Sequence, residues 1–406
     1  MIFAVVNIMI KVMAINAGSS SLKFKLYDMP EETVITEGVV ERIGLEDAYY
    51  TIRINGKKVK TILPVKDHKE ATNLLLADLV KRQIVHSLKE IKGVGHRIVQ
   101  GGDYFPDSVL VDENVIARID ELSALAPLHN PAHLTGIKAF IEVLPDVPNI
   151  VVFDTAFHQT MEQEAYMYAL PYEWYTKHRI RKYGAHGTSH QYVANKVAQV
   201  IGVPIEQLKI VTCHLGNGAS LAAVKGGKCV DTSMGLTPLE GIPMGTRSGN
   251  IDPAVVEFVA MKENMTVSEV LYALNHKSGY LGVSGISNDS RDLEAAMQKG
   301  DQRSKLALDI QYKRIADYIG SYYVYMEGID VIVFTAGIGE NCSRCRNEVL
   351  KRIKVLGVEI DEEANNTTKP EIKEITTKNS KIRGFLIPTN EELVIARDTV
   401  RLAKLI

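Results

Sequence analysis

Gly18 and Gly216 mark the turns of two segments that share one layout, 198 residues apart (216 − 18) in a chain of 406. The first reads Val12-Met-Ala-Ile-Asn16, a turn through Gly18 and Ser19-Ser-Ser21, then Leu22-Lys-Phe-Lys-Leu-Tyr27 in strict alternation. The second reads Ile210-Val-Thr-Cys-His214, the turn Leu215-Gly-Asn-Gly218, then Ser220-Leu-Ala-Ala-Val224 ahead of Gly226-Gly227. Apolar runs on either side of a small-residue turn make a β-hairpin. A single match at close to half the chain length predicts two homologous halves, not a solenoid of short repeats. Glycine-turn hairpins are common, so layout alone leaves duplication and coincidence both open.

The segments after each hairpin narrow the architecture. Helical patterns over 70–88, 115–125 and 131–144 alternate with apolar runs at 94–99 and 149–153. The second half repeats that rhythm with helical patterns over 251–261, 267–274 and 303–327 and a buried-type strand at 331–334. Such alternation predicts α/β layers. The polar stretch 361–381 reads as loop, and the end as a strand at 383–387, a turn Pro388-Thr-Asn-Glu391 and a terminal helix. A domain of about 150 residues is typical, so the chain has room for two or three.

Charge and cysteine content exclude several function classes. Forty-seven basic residues against 49 acidic give a formal charge of −2, which offers nothing to condense the chain on nucleic acid or an anionic membrane. Cys213, Cys229, Cys342 and Cys345 are too few for a disulfide framework and predict a reducing, cytoplasmic compartment. The apolar start, 1–10 and 12–15, lacks a basic leader and is interrupted by Lys11 well short of the roughly 20 residues of a membrane span. A start at Met9 and an added strand segment fit residues 1–8 equally.

The chain has neither the G-x-x-x-x-G-K-[ST] loop nor a complete G-x-G-x-x-G after a strand. It has instead three strand-ending glycine turns: Asn16-Ala-Gly-Ser-Ser-Ser21, His214-Leu-Gly-Asn-Gly218 and Thr335-Ala-Gly-Ile-Gly-Glu-Asn341. Small residues let backbone N–H groups approach phosphate oxygens closely. Each turn alone is weak evidence. Three in two matched halves predict the nucleotide grip of actin-like and sugar-kinase-like proteins. Arg247 is the one basic residue in the glycine-dense segment 231–249, and a guanidinium held in such a loop suits an oxyanion clamp. His96-Arg97 is a second candidate clamp. His129, the run Gly184-Ala-His-Gly-Thr-Ser-His190, and Asp154 ahead of His158 supply further polar candidates, with helix capping as the alternative for Asp154. Cys342-Ser-Arg-Cys345 lacks a second pair and is not read as a zinc site.

The segments Asn16-Ala-Gly-Ser-Ser-Ser-Leu-Lys-Phe24, His129-Asn-Pro-Ala132, Phe153-Asp-Thr-Ala-Phe-His158, His186-Gly-Thr-Ser-His190, His214-Leu-Gly-Asn-Gly218, Asp231-Thr-Ser-Met-Gly235, Met244-Gly-Thr-Arg247 and Gly337-Ile-Gly-Glu-Asn341 together resemble the acetate kinase family. The resemblance runs from about Val12 to the C-terminus with the motifs in order. It implies an α/β chain of two duplicated actin-like, ribonuclease H-like domains around a nucleotide cleft. Their implied extents are 9–155 plus 388–406 for an acyl-binding domain and 156–387 for a nucleotide-binding and dimerisation domain. It also implies a homodimer, and magnesium-dependent formation of acetyl phosphate and ADP from acetate and ATP, with Mn²⁺ as a possible substitute for Mg²⁺.

The implied roles are specific. Arg97 binds acetate, Arg247 bridges carboxylate and γ-phosphoryl, and His186 stabilises the in-line transition state. Asp154 is cast as acid/base, but an acetate carboxylate is already ionised and needs no general base, so an orienting, electrostatic role fits better. Asn16 and Glu391, in Asn390-Glu-Glu-Leu393, match the magnesium positions. Lys23, His214, Leu215, Gly216, Asn217, Gly218, Asp289, Ser290, Arg291, Gly337, Ile338, Gly339, Glu340 and Asn341 match the ATP positions, with Ser290 where relatives often carry a larger apolar residue. Val99, Leu128, Pro238 and Ala185 would enclose the acyl methyl. Most relatives carry Phe where this chain has Ala185, which opens space and predicts propionate as a fair substrate unless Met234 or Met244 fills the gap. A propionate or butyrate kinase is the near alternative, and an actin- or Hsp70-like ATPase the distant one. Cys342 and Cys345, following the third glycine turn, are expected at a helix N-terminus, where oxidation would disturb nucleotide binding.

Overall fold

The computed structural model describes residues 9–127, 129–367 and 371–406. Leu128 and the two readings of residues 1–8 lie outside them. The chain divides into two compact units, one comprising the described residues up to Ala156 together with Asn390–Ile406, the other Phe157–Thr389.

Among the described residues, the first unit holds an eight-stranded sheet. Its strands are β1 (Ile10–Gly18), β2 (Ser21–Met29), β3 (Thr33–Glu41), β4 (Tyr49–Ile54), β5 (Lys57–Ile62), β6 (Ile91–Ile98), β7 (Val109–Leu110) and β8 (Asn149–Phe153), in the order β5-β4-β3-β2-β1-β6-β8-β7. The β1–β2 pair is the antiparallel hairpin read from the sequence. Alternation sends Met13, Ile15 and Ala17 of β1 into a core with Leu75, Leu76, Leu79 and Phe140 from the helices His68–Lys81 and Asn130–Val143. The terminal helix Glu391–Leu402 packs on β1, β6 and β8. Gly93 and Gly95 permit that contact, since a Cβ at either would come within 2.6 Å of the Thr399 side chain.

The second unit holds a six-stranded sheet of β9 (Lys209–Leu215), β10 (Ala219–Lys225), β11 (Lys228–Thr232), β12 (Val331–Thr335), β13 (Lys373–Glu374) and β14 (Arg383–Leu386), ordered β11-β10-β9-β12-β14-β13. β10 and β11 form an antiparallel meander with β9, while β12 and β14 run parallel to it. The first unit repeats this plan in β3-β2-β1-β6-β8, with a short antiparallel strand at the same edge of each sheet. The repeat read from one hairpin pair is thus a repeat of sheet topology.

Three expectations differ from what forms. The helix expected over 70–88 stops at Lys81, because Gln83 takes a left-handed φ of 57° and turns the chain out. The stretch expected as loop over 361–381 contains a helical turn at Glu362–Asn365 and the edge strand β13. The third glycine turn is a six-residue helix, Ala336–Asn341, entered through a left-handed Ala336 with φ 64°.

Candidate active site

In the second unit a cavity of about 520 Å³ opens beside two of the glycine turns. It is lined by Gly216 and Asn217 from the β9–β10 turn, by Gly337, Ile338 and Asn341, and by Asp289, Ser290 and Arg291. That volume is within the range of small-molecule pockets. Asp289 caps the helix Ser290–Gln298, and the Arg291 guanidinium and backbone N–H hold its carboxylate down at about 2. Asn288, Glu294 and Cys342 also line the cavity. Glu294 lies one helical turn past Ser290, a spacing that could have exposed it. Other candidates of the nucleotide set do not line it: His214 and Leu215 are buried in β9, and Gly339 is buried where a Cβ would meet the backbone of Phe334 and Cys213. The Glu340 carboxylate is spent locally, accepting the backbone N–H groups of Ala336 at 2.9 Å and Thr389 at 3.1 Å.

A second arrangement converges on Gly218. A Cβ there would lie 3.4 Å from Arg247 Nη1 and 3.7 Å from His186 Nε2, so both polar side chains point to one spot kept clear by glycine. Among the described residues no carboxylate pairs with Arg247. It donates to the Pro238 carbonyl at 3.3 Å and contacts Met244 Sδ at 3.7 Å, and burial lowers its pKa below the ordinary guanidinium value. His186 enters the helix Gly187–Ile201 with φ 57°, and its ring stacks on His214 at 4.2 Å. A chain of hydrogen bonds orients it: Thr212 Oγ1 to His190 Nδ1 at 2.7 Å, His190 Nε2 to Ser220 Oγ at 2.8 Å, and Ser220 Oγ to His186 Nδ1 at 2.8 Å. Sequence reading named His186 and His190 but missed Ser220 and Thr212, whose hydroxyls look unremarkable within a strand. Ala185 is covered, in the same apolar cluster as Met234 and Met244, both fully buried, so the two methionines are on hand to fill the space that the missing ring leaves.

The first unit carries the carboxylate cluster. Arg97, at the end of β6, makes a bidentate pair with Asp154, Nε to Oδ1 at 3.1 Å and Nη2 to Oδ2 at 2.7 Å. Burial alone would lower the Arg97 pKa, but Asp154, Glu391 and Glu392 outweigh it and raise it. Asp154 follows β8 with its carboxylate on Arg97; it caps no helix. Burial, with Asp154 and Glu392 nearby, pushes the Glu391 carboxyl up to about 7 against the opposing pull of Arg97 and Lys25. Asn16 and Lys23 face each other across the β1–β2 hairpin and line a cavity of about 270 Å³ with Glu392, Lys25, Arg53 and Lys58. The Asn16 amide and the Glu391 carboxyl are oxygen donors of the kind a hard divalent cation takes, since such an ion binds through one or two protein oxygens and keeps water and phosphate ligands. Among the described residues no cluster of three or more His, Cys, Asp or Glu side chains forms a closed metal site.

His96 is not a clamp. Its ring is buried, bonds Asn149 Oδ1 at 2.8 Å and meets Phe140 edge-on, because alternation along β6 turns it to the face opposite Arg97. His129 is the residue before the helix Asn130–Val143, and Asn130 is buried against the backbone of Gln100. Val99 is buried just past β6 and Pro238 is half-buried.

Known proteins place these features in one family. The sequence matches the model of the Acetokinase family over residues 11–397. The chain belongs to the acetokinase family. The acetate kinase of Geobacillus kaustophilus (strain HTA426) is 57% identical over 397 residues, which cover 98% of this chain and all of that one. The crystal structure of Porphyromonas gingivalis acetate kinase matches with a TM-score of 0.93 at 42% identity, covering 97% of this chain and 99% of that one. A propionate kinase from Francisella tularensis subsp. tularensis SCHU S4 matches with a TM-score of 0.91 at 40% identity, covering 97% of this chain and 100% of that one. This acetokinase-family chain is therefore an enzyme, a kinase of mixed α/β, actin-like fold. Among the described residues no helix is long and apolar enough to cross a membrane.

Proposed function

We infer that the chain is an acetate kinase, transferring the γ-phosphoryl of ATP reversibly and in line to the carboxylate of acetate to give acetyl phosphate and ADP. The observation that carries this reading is Arg247: a largely buried guanidinium with no carboxylate partner among the described residues, aimed with His186 at the clear spot over Gly218. Two anions must meet in this reaction, so catalysis consists of positioning and charge stabilisation, not base chemistry. Arg97, held flat by Asp154, takes the acetate carboxylate in fork geometry. Asp154 orients that arginine. Arg247 takes charge developing on the transferring oxygens. When Thr212 donates to His190 and His190 to Ser220, Ser220 donates to His186 Nδ1, which leaves Nε2–H as a neutral donor to the phosphoryl group. The cavity bounded by Asn217, Asp289–Arg291 and Gly337–Asn341 takes the nucleotide, and Lys23 contributes to phosphate binding. Asn16 and Glu391 hold Mg²⁺, or Mn²⁺ in its place, which supplies neutralisation of phosphate charge.

The acyl-binding role falls to the first unit and the nucleotide-binding and dimerisation roles to the second. A homodimer is supported by the helices Ala254–Glu263 and Val267–His276, where Phe258, Met261, Leu271 and Tyr272 are exposed and the first helix buries no residue. Sedimentation of the parent should give twice the 44.9 kDa chain mass, and Phe258→Glu with Met261→Glu should shift it toward the monomer. Four free cysteines fit a reducing cytoplasm.

The deciding experiment is ATP-dependent trapping of acyl phosphate as a hydroxamate with acetate, propionate and butyrate compared. Acetate should give the highest kcat/KM. A preference for propionate or butyrate would select the near alternative, and ATP hydrolysis without any hydroxamate would select the ATPase.

A further inference from the structure

Cys342 joins the two walls of the nucleotide cavity. It caps the helix Ser343–Arg352, with Sγ accepting the Cys345 backbone N–H at 3.1 Å. The same sulfur donates its proton to Glu294 Oε1 at 2.8 Å. Glu294 belongs to the helix Ser290–Gln298, which carries Ser290 and Arg291 on one wall, while Cys342 directly follows the Gly337–Asn341 segment on the other. One S–H···O contact therefore ties the walls. Cys345 lies one turn further into the helix, fully buried against the same first turn. Residues three apart on a helix have side chains about 5–6 Å from each other, close enough for a disulfide after a small adjustment.

We propose that Cys342 and Cys345 form a peroxide-driven disulfide that unties Cys342 from Glu294 and weakens nucleotide binding. The coupling rests on the nucleotide reading of this cavity given above. Cys342 is the sulfur that lines the cavity, and Cys213 and Cys229 are both fully buried, so peroxide meets Cys342 first. The Cys342 thiolate attacks a peroxide oxygen, the O–O bond breaks, and a sulfenic acid and hydroxide form; the thiol proton, received by Glu294, neutralises the hydroxide to water. The Cys345 sulfur then attacks the sulfenic sulfur, the S–S bond forms, and the sulfenic oxygen leaves as a second water with the Cys345 proton. Two thiols are oxidised and one peroxide is reduced to two waters. The hydrogen bond with Cys342, with burial added to it, raises the Cys345 thiol well above its usual range, so the second step is the slow one and the sulfenic acid persists long enough to be trapped. Once the disulfide forms, Cys342 no longer carries a proton to donate, and the contact to Glu294 that ties the two walls is lost.

The test uses the full-length enzyme treated with hydrogen peroxide. Trypsin cuts after Arg344, between the two cysteines, so a disulfide leaves the flanking peptides joined and a reducing agent separates them. In the parent, joined peptides should appear together with a roughly three- to tenfold rise in KM for ATP, reversed by dithiothreitol, with acetate KM unmoved. Cys345→Ser should stop at a dimedone-trapped sulfenic acid on Cys342. The double variant Cys342→Ser, Cys345→Ser, compared with its own untreated form, should show no change in ATP KM. The proposal is overturned if joined peptides do not form, or if they form and ATP KM stays put. It is equally overturned if the double variant loses ATP affinity as the parent does. Because the peptide readout needs no activity, absence of hydroxamate from the reduced enzyme would count against the kinase reading alone.

Discussion

Arg247 and Ala185 show how a single side chain sets rate or selectivity. The Arg247 interaction grows as charge moves onto the transferring oxygens, so Arg247→Ala should lower kcat by on the order of 10²–10³ while acetate KM changes little. Near-normal kcat with only a raised acetate KM would make Arg247 a binding residue. Ala185 bears on acyl-chain length through its neighbours. Its methyl is covered within the cluster that holds Met234 and Met244, and Met244 Sδ in turn touches Arg247. A phenyl ring in that packed cluster must displace its neighbours, which costs about 1–3 kcal/mol. We therefore expect Ala185→Phe to lower the melting temperature and to reduce propionate kcat/KM more than acetate kcat/KM. An unchanged acetate-to-propionate ratio would remove Ala185 from the acyl pocket.

Among the elements, the helix Ser343–Arg352 holds the glycine segment in place through Arg346. That guanidinium is fully buried and donates to the carbonyls of Gly339 at 2.8 Å and Glu340 at 3.0 Å, and to Asn365 Oδ1 at 2.8 Å and its carbonyl at 2.7 Å. It satisfies backbone acceptors at the end of the short helix Ala336–Asn341, which has too few turns to hold itself. Removing that guanidinium leaves its buried oxygen acceptors without a donor, which costs about 1–3 kcal/mol for each one left unpaired. Arg346→Leu should lose that stability and raise KM for ATP more than KM for acetate; equal effects on both would reduce Arg346 to a general packing role. Nothing in the sequence singled out Arg346, because an arginine in a helix rich in basic residues reads as solvated surface. The glycine turns and Arg247 were legible because their residue types are unusual for their setting. Ser220, Thr212 and Glu294 were not, since a serine, a threonine or a glutamate acquires a role only from what the fold sets beside it.

At the level of the whole molecule, the paired hairpins around Gly18 and Gly216 disclosed the plan of both sheets because each opens a unit at its most regular strands. Strands β3 to β5 escaped notice: β5 is almost wholly exposed and shows no alternation of apolar residues. The buried histidines of the two units give a last prediction. Burial pulls His96 down to about 4, with Asn149 opposing. Burial, with Arg97 and His129 nearby, pulls His133 down to about 3, and burial with His158 and His214 pulls His190 well below its ordinary value. All three are neutral in the fold, whereas the unfolded chain protonates them below about 6.5. Their contribution to stability is therefore complete above about pH 6.5 and is lost as pH falls toward the folded values. Each histidine contributes a slope of about 1.4 kcal/mol per pH unit in that window. The denaturant midpoint should consequently be level from pH 8 to 7 and fall steadily from 6.5 to 5. Glu391, raised to about 7, keeps a proton in the fold that the unfolded carboxyl has lost, so in this window it offsets one of the three histidines. His96→Gln, which keeps a donor for Asn149 but does not titrate, should therefore flatten the net fall by about half. A midpoint independent of pH across this window, or a His96→Gln profile parallel to the parent's, would show that the unfolded chain does not gain these protons on release from the core.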